Sequence, residues 1–131
     1  MLRFQASAVE CFSDFEEVLT VHFGDGAAHY LALQVWVEGY EKRARGTGMI
    51  HVEVDDQRNS GYDRIARAEL TRGSFRADFD GKDPALASLG GVEVTFELEP
   101  DAFEQLRVDL KRVFRKHAAY RDRSNKRAKR E

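Results

Sequence analysis

ARAELTRGSFRADF, residues 66–79, decides how this chain folds. Ala66, Ala68 and Leu70 alternate with Arg67 and Glu69. Phe75, Ala77 and Phe79 alternate with Ser74, Arg76 and Asp78. A repeat of two is the mark of a half-buried strand. Arg72-Gly73, between the two runs, predicts a two-residue hairpin loop. With that loop Leu70 faces Phe75, Ala68 faces Ala77, Glu69 faces Arg76 and Arg67 faces Asp78. Both charged pairs join opposite signs, each worth about 0.2–1 kcal/mol at a solvated surface. Pattern, turn and charge agree on one register; a bulge would shift it by one residue.

The same period extends outward from the hairpin. Upstream it predicts strands over about 2–12, Val18 to Phe23, Tyr30 to Val37 and Met49 to Asp55. Tyr30 to Val37, apolar on both faces, reads as the most buried. Gly24-Asp25-Gly26 supplies residues for a turn, and Glu38 to Gly48 reads as a charged loop. Downstream, Ala85 to Leu89, after Pro84, predicts a single helical turn, and Val92, Val94, Phe96 and Leu98 a last strand. The period then changes. Phe103, Leu106, Leu110, Val113, Phe114 and His117 recur at three- and four-residue spacing, which predicts an amphipathic helix over 101–118. Pro100 stands at its entrance, and Asp101 with Glu104 reads as a capping box. Burying Phe103, Leu106, Leu110, Val113 and Phe114 contributes on the order of 10 kcal/mol gross.

The expected architecture is therefore α+β: an antiparallel meander of about six to seven strands, with one C-terminal amphipathic helix on one face. Residues 1–120 read as a single domain and 121–131 as a basic tail. One helix covers one face of such a sheet. The other face is expected to carry His51, Glu53, Asp55, Arg67, Glu69, Arg76, Asp78, Glu93, Thr95 and Glu97, and to be acid-rich.

Composition narrows the function classes. The chain has 131 residues, 42% hydrophobic and 11% aromatic, which suits one core and is too apolar for a disordered chain. No run reaches the ~18 apolar residues of a membrane helix. The N-terminus lacks the basic-then-apolar pattern of a signal peptide, and Cys11 is the only cysteine. A soluble, cytoplasmic, reduced setting is the expectation. Residues 1–100 hold 10 Lys/Arg against 18 Asp/Glu, whereas 101–131 hold 11 against 5. The last eleven residues, 121–131, suggest a nucleic-acid contact, but no aromatic residue is interleaved there to stack on bases. A solubilising terminus is the plainer reading.

No catalytic site assembles, and no cofactor or metal is expected. His51 and Glu53, two apart on a strand, point to one side and could share a metal, but a third ligand at suitable spacing is missing. Glu53, Asp55 and Asp56 could serve acid–base chemistry; a strand end rich in acids explains them as well. Cys11 lies beside Glu10 and Asp14, which disfavours a thiolate. Asp56-Gln57-Arg58-Asn59-Ser60-Gly61-Tyr62 is different. It reads as a long connection rich in side chains that contact partners, with Tyr62 a large amphipathic anchor.

HVEVDDQRNSGYDRIARAELTRGSFRADFD, from His51 to Asp80, resembles the central signature of a family of bacterial polymorphic-toxin immunity proteins, the immunity protein ten family. The likeness is carried by Glu53, Asp56-Gln57, Asn59, Gly61-Tyr62 and Leu70-Thr71-Arg72, with Leu33-Gln34, Val94-x-Phe96 and the Leu/Phe helix around them. It covers about residues 30–115; the basic tail departs from it. The resemblance implies a protein that binds and neutralises a cognate toxin, without catalysis. Contact is expected through Glu53, Asp55, Asp56, Gln57, Asn59, Gly61, Tyr62 and Arg72. The acidic balance fits a cationic toxin such as a nuclease. Three classes compete: a toxin-binding immunity protein, a nucleic-acid or regulatory module using the tail, and a small metal-dependent enzyme around His51 and Glu53. A homodimer through an exposed strand edge is compatible with each.

Overall fold

The computed structural model describes residues 1–14, 17–39 and 50–125. Along the chain they form β1 (Leu2–Gln5), β2 (Ala8–Asp14), β3 (Val18–Gly24), β4 (Tyr30–Trp36), β5 (His51–Val54), β6 (Asp56–Tyr62), β7 (Ile65–Leu70), β8 (Ser74–Phe79), α1 (Pro84–Leu89), β9 (Gly91–Thr95), α2 (Pro100–Val113) and β10 (Tyr120–Asp122). Two five-stranded sheets result. Sheet A is ordered β1-β9-β8-β7-β10 and sheet B is ordered β2-β3-β4-β5-β6. Sheet B is antiparallel throughout. Sheet A ends in two parallel pairs, β1 with β9 and β10 with β7.

The α+β class and the mostly antiparallel pairing agree with the sequence reading. The single meander does not: there are two sheets, and two helices. The reason is coverage. Each strand has one apolar face, and α2 packs chiefly on β2, β3 and β4. The remaining apolar faces are covered by the opposite sheet. Phe23 of β3 stacks on Phe75 of β8 at 5.5 Å between ring centroids and on Phe96 at 6.1 Å. Phe114, just past α2, meets Phe75 at 6.0 Å. Both sheets and α2 therefore share one core.

The chain changes sheets at two corners. Ala6 N–H donates to Thr95 in sheet A, and the next residue, Ser7, donates to Gly24 in sheet B. The strand expected over 2–12 is split there. Asp63, at φ 58, turns the chain from β6 into β7; Asp and Asn tolerate this region better than most residues. The β7–β8 hairpin has the register read from the sequence, Leu70 with Phe75 and Arg67 with Asp78. Its one departure is a shift between Ile65 and Arg67, which leaves Ala66 exposed rather than on the apolar face.

Asp56–Tyr62, expected as a connection, is the edge strand of sheet B. Residues 40–49, most of the expected charged loop, lie outside the described residues. Helix α2 is shorter than expected, and the Asp101/Glu104 box does not form: its N-cap is Glu99, which makes no side-chain capping bond. Asp83 is the capping carboxylate instead, accepting from Ala85 and Leu86 N–H at 3.0 and 3.1 Å before α1. His117 follows α2, its Nε2 2.8 Å from the Ile65 carbonyl. Among the described residues no helix is long and apolar enough to cross a membrane.

Candidate partner-binding site

The two sheets turn different outer faces to solvent. On sheet A, Arg3, Glu93, Arg76, Glu69 and Arg121 stand opposite one another in turn across β1, β9, β8, β7 and β10, alternating in sign. Arg3 pairs with Glu93 at 3.1 Å, and Asp78 takes Arg67 at 2.9 Å and Arg76 at 3.0 Å. Glu69 pairs with Arg123 at 3.3 Å. Burial alone would raise the Asp78 pKa; the two guanidiniums outweigh it and hold the carboxyl below its ordinary value.

This layout corrects the expected acid-rich face. Glu53 lies on sheet B, Glu93 on sheet A, and Glu97 in the segment between β9 and α2, so they do not share a surface. The larger excess of acid is instead on sheet B. Its described strands and connections carry Glu10, Asp14, Glu17, Asp25, Glu38, Glu53, Asp55 and Asp56, with Arg58 as the one Lys or Arg among those residues. With residues 15–16 and 40–49 included, the stretch 8–62 holds ten carboxylates to four cations.

Sheet B's outer face is built in rows by its register. Glu10, His22, Ala32, Glu53 and Ser60 form one row. Phe12, Thr20, Gln34, His51 and Tyr62 form the next. Helix α2 lies on the opposite, inner side, where burial and the Asp109 carboxylate act on the Cys11 thiol. Several polar side chains along this face pair with one another, whereas His22 Nδ1 is buried without a hydrogen-bond partner, 3.9 Å from Glu10 Oε1. Gln34 Nε2 donates to Thr20 Oγ1 at 3.2 Å, and Tyr30 Oη donates to Glu53 Oε2 at 2.5 Å. His22 stacks on Tyr30 at 5.6 Å, and His51 meets Tyr62 edge-on at 4.9 Å. Burial, then the bond to Glu53, pushes the Tyr30 hydroxyl pKa up to about 12, so it stays protonated and donating. The ends of the second row are open: Phe12 is 45% exposed and Tyr62 56%.

The β5–β6 end concentrates most of the residues singled out in the sequence. Asp55 sits between the strands at φ 64. Its carboxylate accepts from Tyr30 N–H at 2.9 Å and faces His29 Nδ1 at 2.8 Å, tying the turn to the start of β4. Pairing jumps from Glu53–Ser60 to Val54–Asp56, so Gln57, Arg58 and Asn59 bulge from the ladder. Asn59 Nδ2 holds the Val54 carbonyl at 3.1 Å, and Ser60 Oγ the Gln57 carbonyl at 2.6 Å. Backbone N–H and guanidinium of Arg58 lower the Asp56 pKa, keeping it ionised. A Cβ at Gly61 would come within 3.1 Å of Arg64 Cγ, so glycine there leaves room for that side chain.

Glu53, Asp55, Asp56, Gln57, Asn59, Gly61 and Tyr62 are thus brought together, and Arg72 is not. Arg72 lies on sheet A, donates to the Leu98 carbonyl at 2.7 Å and stands 4.4 Å over the Phe103 ring, where it anchors the entrance of α2. Burial and then Asp109 push the Cys11 thiol up to about 12, so it is a poor nucleophile. Among the described residues no three His, Cys, Asp or Glu side chains converge on a metal position.

Residues 5–104 match the model of the family described as Immunity protein 10. The chain belongs to the Immunity protein 10 family. No curated protein and no solved structure matches it. The family match contains the whole β5–β6 site and all of sheet B, and ends inside α2, leaving β10 and the tail beyond it. It agrees with the resemblance carried by Glu53 to Arg72. Sequence reasoning missed Phe12, Gln34 and Tyr30 as members of the same face. The alternation of β2 and β4 was legible, but which strand lies beside which is a long-range pairing that alternation does not encode.

Proposed function

We propose that this Immunity protein 10 member neutralises a toxin by binding its functional surface through the β5–β6 end of sheet B. One observation carries the reading: an exposed aromatic, Tyr62, and ionised Asp56 stand at the two ends of one edge strand, paired with the strand of Glu53, on the sheet that holds the larger acid excess. A cationic surface that normally holds a polyanion, as in a nuclease, is the complementary partner. The site then acts by occlusion and needs no catalytic group.

The test is co-purification with the toxin domain encoded beside this gene, followed by binding measurements from about 50 mM to about 500 mM salt. Binding should weaken steeply with salt. Tyr62→Ala should weaken it about tenfold, as expected of a central aromatic anchor. Indifference to both would remove this site from consideration.

A second reading rests on sheet A, where Arg67, Arg76, Arg121 and Arg123 line one depression with Glu69 and Asp78. A polyanion is its natural ligand, with the Lys and Arg residues of 126–131 following in sequence. Deleting 126–131 is the discriminating change, because a deletion from 121 would also remove β10 residues and the 2.7 Å Arg107–Asp122 pair. Lost binding to single-stranded RNA, with toxin binding intact, would favour the second reading.

A further inference from the structure

We infer that the docking surface is the whole outer face of sheet B, reaching from Tyr62 to Phe12 on the far edge strand, and that its occupant is the cationic surface of the toxin. The inference rests on the function proposed above and extends it from one end of the sheet to the other.

Three observations carry it. First, the register places the two exposed large apolar side chains among the sheet's described residues at opposite ends of a single row, Phe12 on β2 and Tyr62 on β6, with Thr20, Gln34 and His51 between them. The other exposed large apolar side chains among the described residues, Met1 and Val108, lie off this sheet. An exposed Phe on a solvated strand gains nothing for the fold; at a partner surface it is an anchor.

Second, area requires more than one strand. A standard interface buries ~800 Å² on each partner. A single strand about 5 Å wide and ~20 Å long offers about an eighth of that, whereas five strands ~24 Å across offer more than half before loops are counted. Third, the charge of the face is one-sided. Glu10 stands in the row beside Phe12 and Glu53 in the same row near Tyr62. The described strands and connections of the sheet carry eight carboxylates and one Lys or Arg; Glu38 takes Arg112 from α2, and the rest still outnumber Arg58, so the matching surface is basic.

The experiment compares the full chain with Phe12→Ala, Glu10→Lys and Tyr62→Ala for binding to the adjacently encoded toxin domain, with unfolding midpoints and sedimentation measured for each. Phe12→Ala should keep the fold and weaken binding about tenfold, mainly through faster dissociation. Glu10→Lys should slow association about fivefold at low salt and much less at high salt. If Tyr62→Ala weakens binding while Phe12→Ala and Glu10→Lys leave it unchanged, the extended surface is wrong and the β5–β6 site stands. If the unaltered chain does not bind the toxin domain, both readings fall. A dimer that Phe12→Ala converts to monomer would assign the face to a second copy and overturn the proposal.

Discussion

The outer faces of sheets A and B are both the polar sides of half-buried strands, yet only one is electrostatically complete. Across sheet A, arginines and carboxylates alternate from strand to strand and close into ion pairs: Arg3 with Glu93, Arg67 and Arg76 with Asp78, Arg123 with Glu69. Across sheet B, hydrogen bonds and ring contacts link Thr20, Gln34, Tyr30, Glu53, His51 and Tyr62, Asp56 takes Arg58 and Glu38 takes Arg112, yet the described carboxylates still outnumber the cations and two open aromatics remain. A face that satisfies itself has little to gain from a partner. Hydropathy alternation is the same in both, so it is the sign of the charge across strands, not the polarity along them, that separates a solvated face from a binding one.

The comparison breaks most completely where the two sheets meet. Phe75 touches Phe23 of sheet B and Phe114 beyond α2, and is fully buried. Phe75→Ala should cost about 3–5 kcal/mol of stability, through lost burial and the cavity left behind. Urea unfolding should show both faces lost in one transition. Two separated transitions would mean that the sheets are independent and do not share a core.

A smaller change should affect sheet B alone. Asp55 combines a left-handed backbone with a carboxylate that accepts from Tyr30 N–H and faces His29. Asp55→Ala loses both and strains the turn, at about 1–3 kcal/mol. Hydrogen exchange should rise first in β4, β5 and β6, with the β7–β8 hairpin unaffected. Equal effects in both sheets would count against a local role. Smaller still is Arg67→Ala on sheet A. Arg67 is 73% exposed and Asp78 keeps Arg76, so about 0.5 kcal/mol or less is expected, with no change in toxin binding. Weakened toxin binding would show that the balanced face also docks.

Legibility in the sequence followed the range of each interaction. The β7–β8 register was readable because turn, alternation and charge all lie within fourteen consecutive residues, 66–79. The Ala66 bulge was not, since Ala continues the apolar pattern. The break at Ala6–Ser7 was hidden for the same reason: Phe4, Ala6 and Ala8 alternate straight through a corner made by hydrogen bonds to Thr95 and Gly24. Asp56–Tyr62 lacks strand-forming residues, and pairing with β5 overrides that local preference. The acidic cluster and Tyr62 were visible as a motif. Arg72 belongs to the motif but not to the place, because its guanidinium is committed to Leu98 and Phe103. Phe12 could have been marked by its mismatch, a large aromatic on the polar parity of β2, once β2 was known to be an edge.

The finest contrast between the sheets is in how they titrate. His29 has its pKa raised from 6.5, first by the hydrogen bond to Asp55 and then by the nearby carboxylate charges. A raised histidine contributes stability that is complete below its ordinary value and is lost as pH rises through the raised one. Asp78 is held below 3.8 by Arg67 and Arg76 against the effect of burial, so its contribution is present above that value and is lost as pH falls through the lowered one. Asp25 and Asp56 at sheet B are also lowered, chiefly by backbone N–H groups, so acid weakens both sheets. Alkali should weaken sheet B through His29. Urea midpoints should therefore decline modestly from about pH 6 to about pH 9, and His29→Gln should flatten that limb while leaving the acid limb in place. An alkaline limb unchanged by His29→Gln would show that the His29–Asp55 contact does not hold the β5–β6 turn, and the preorganisation of the Asp56–Tyr62 strand would then rest on the Tyr30 N–H bond and the Asn59 bulge contact.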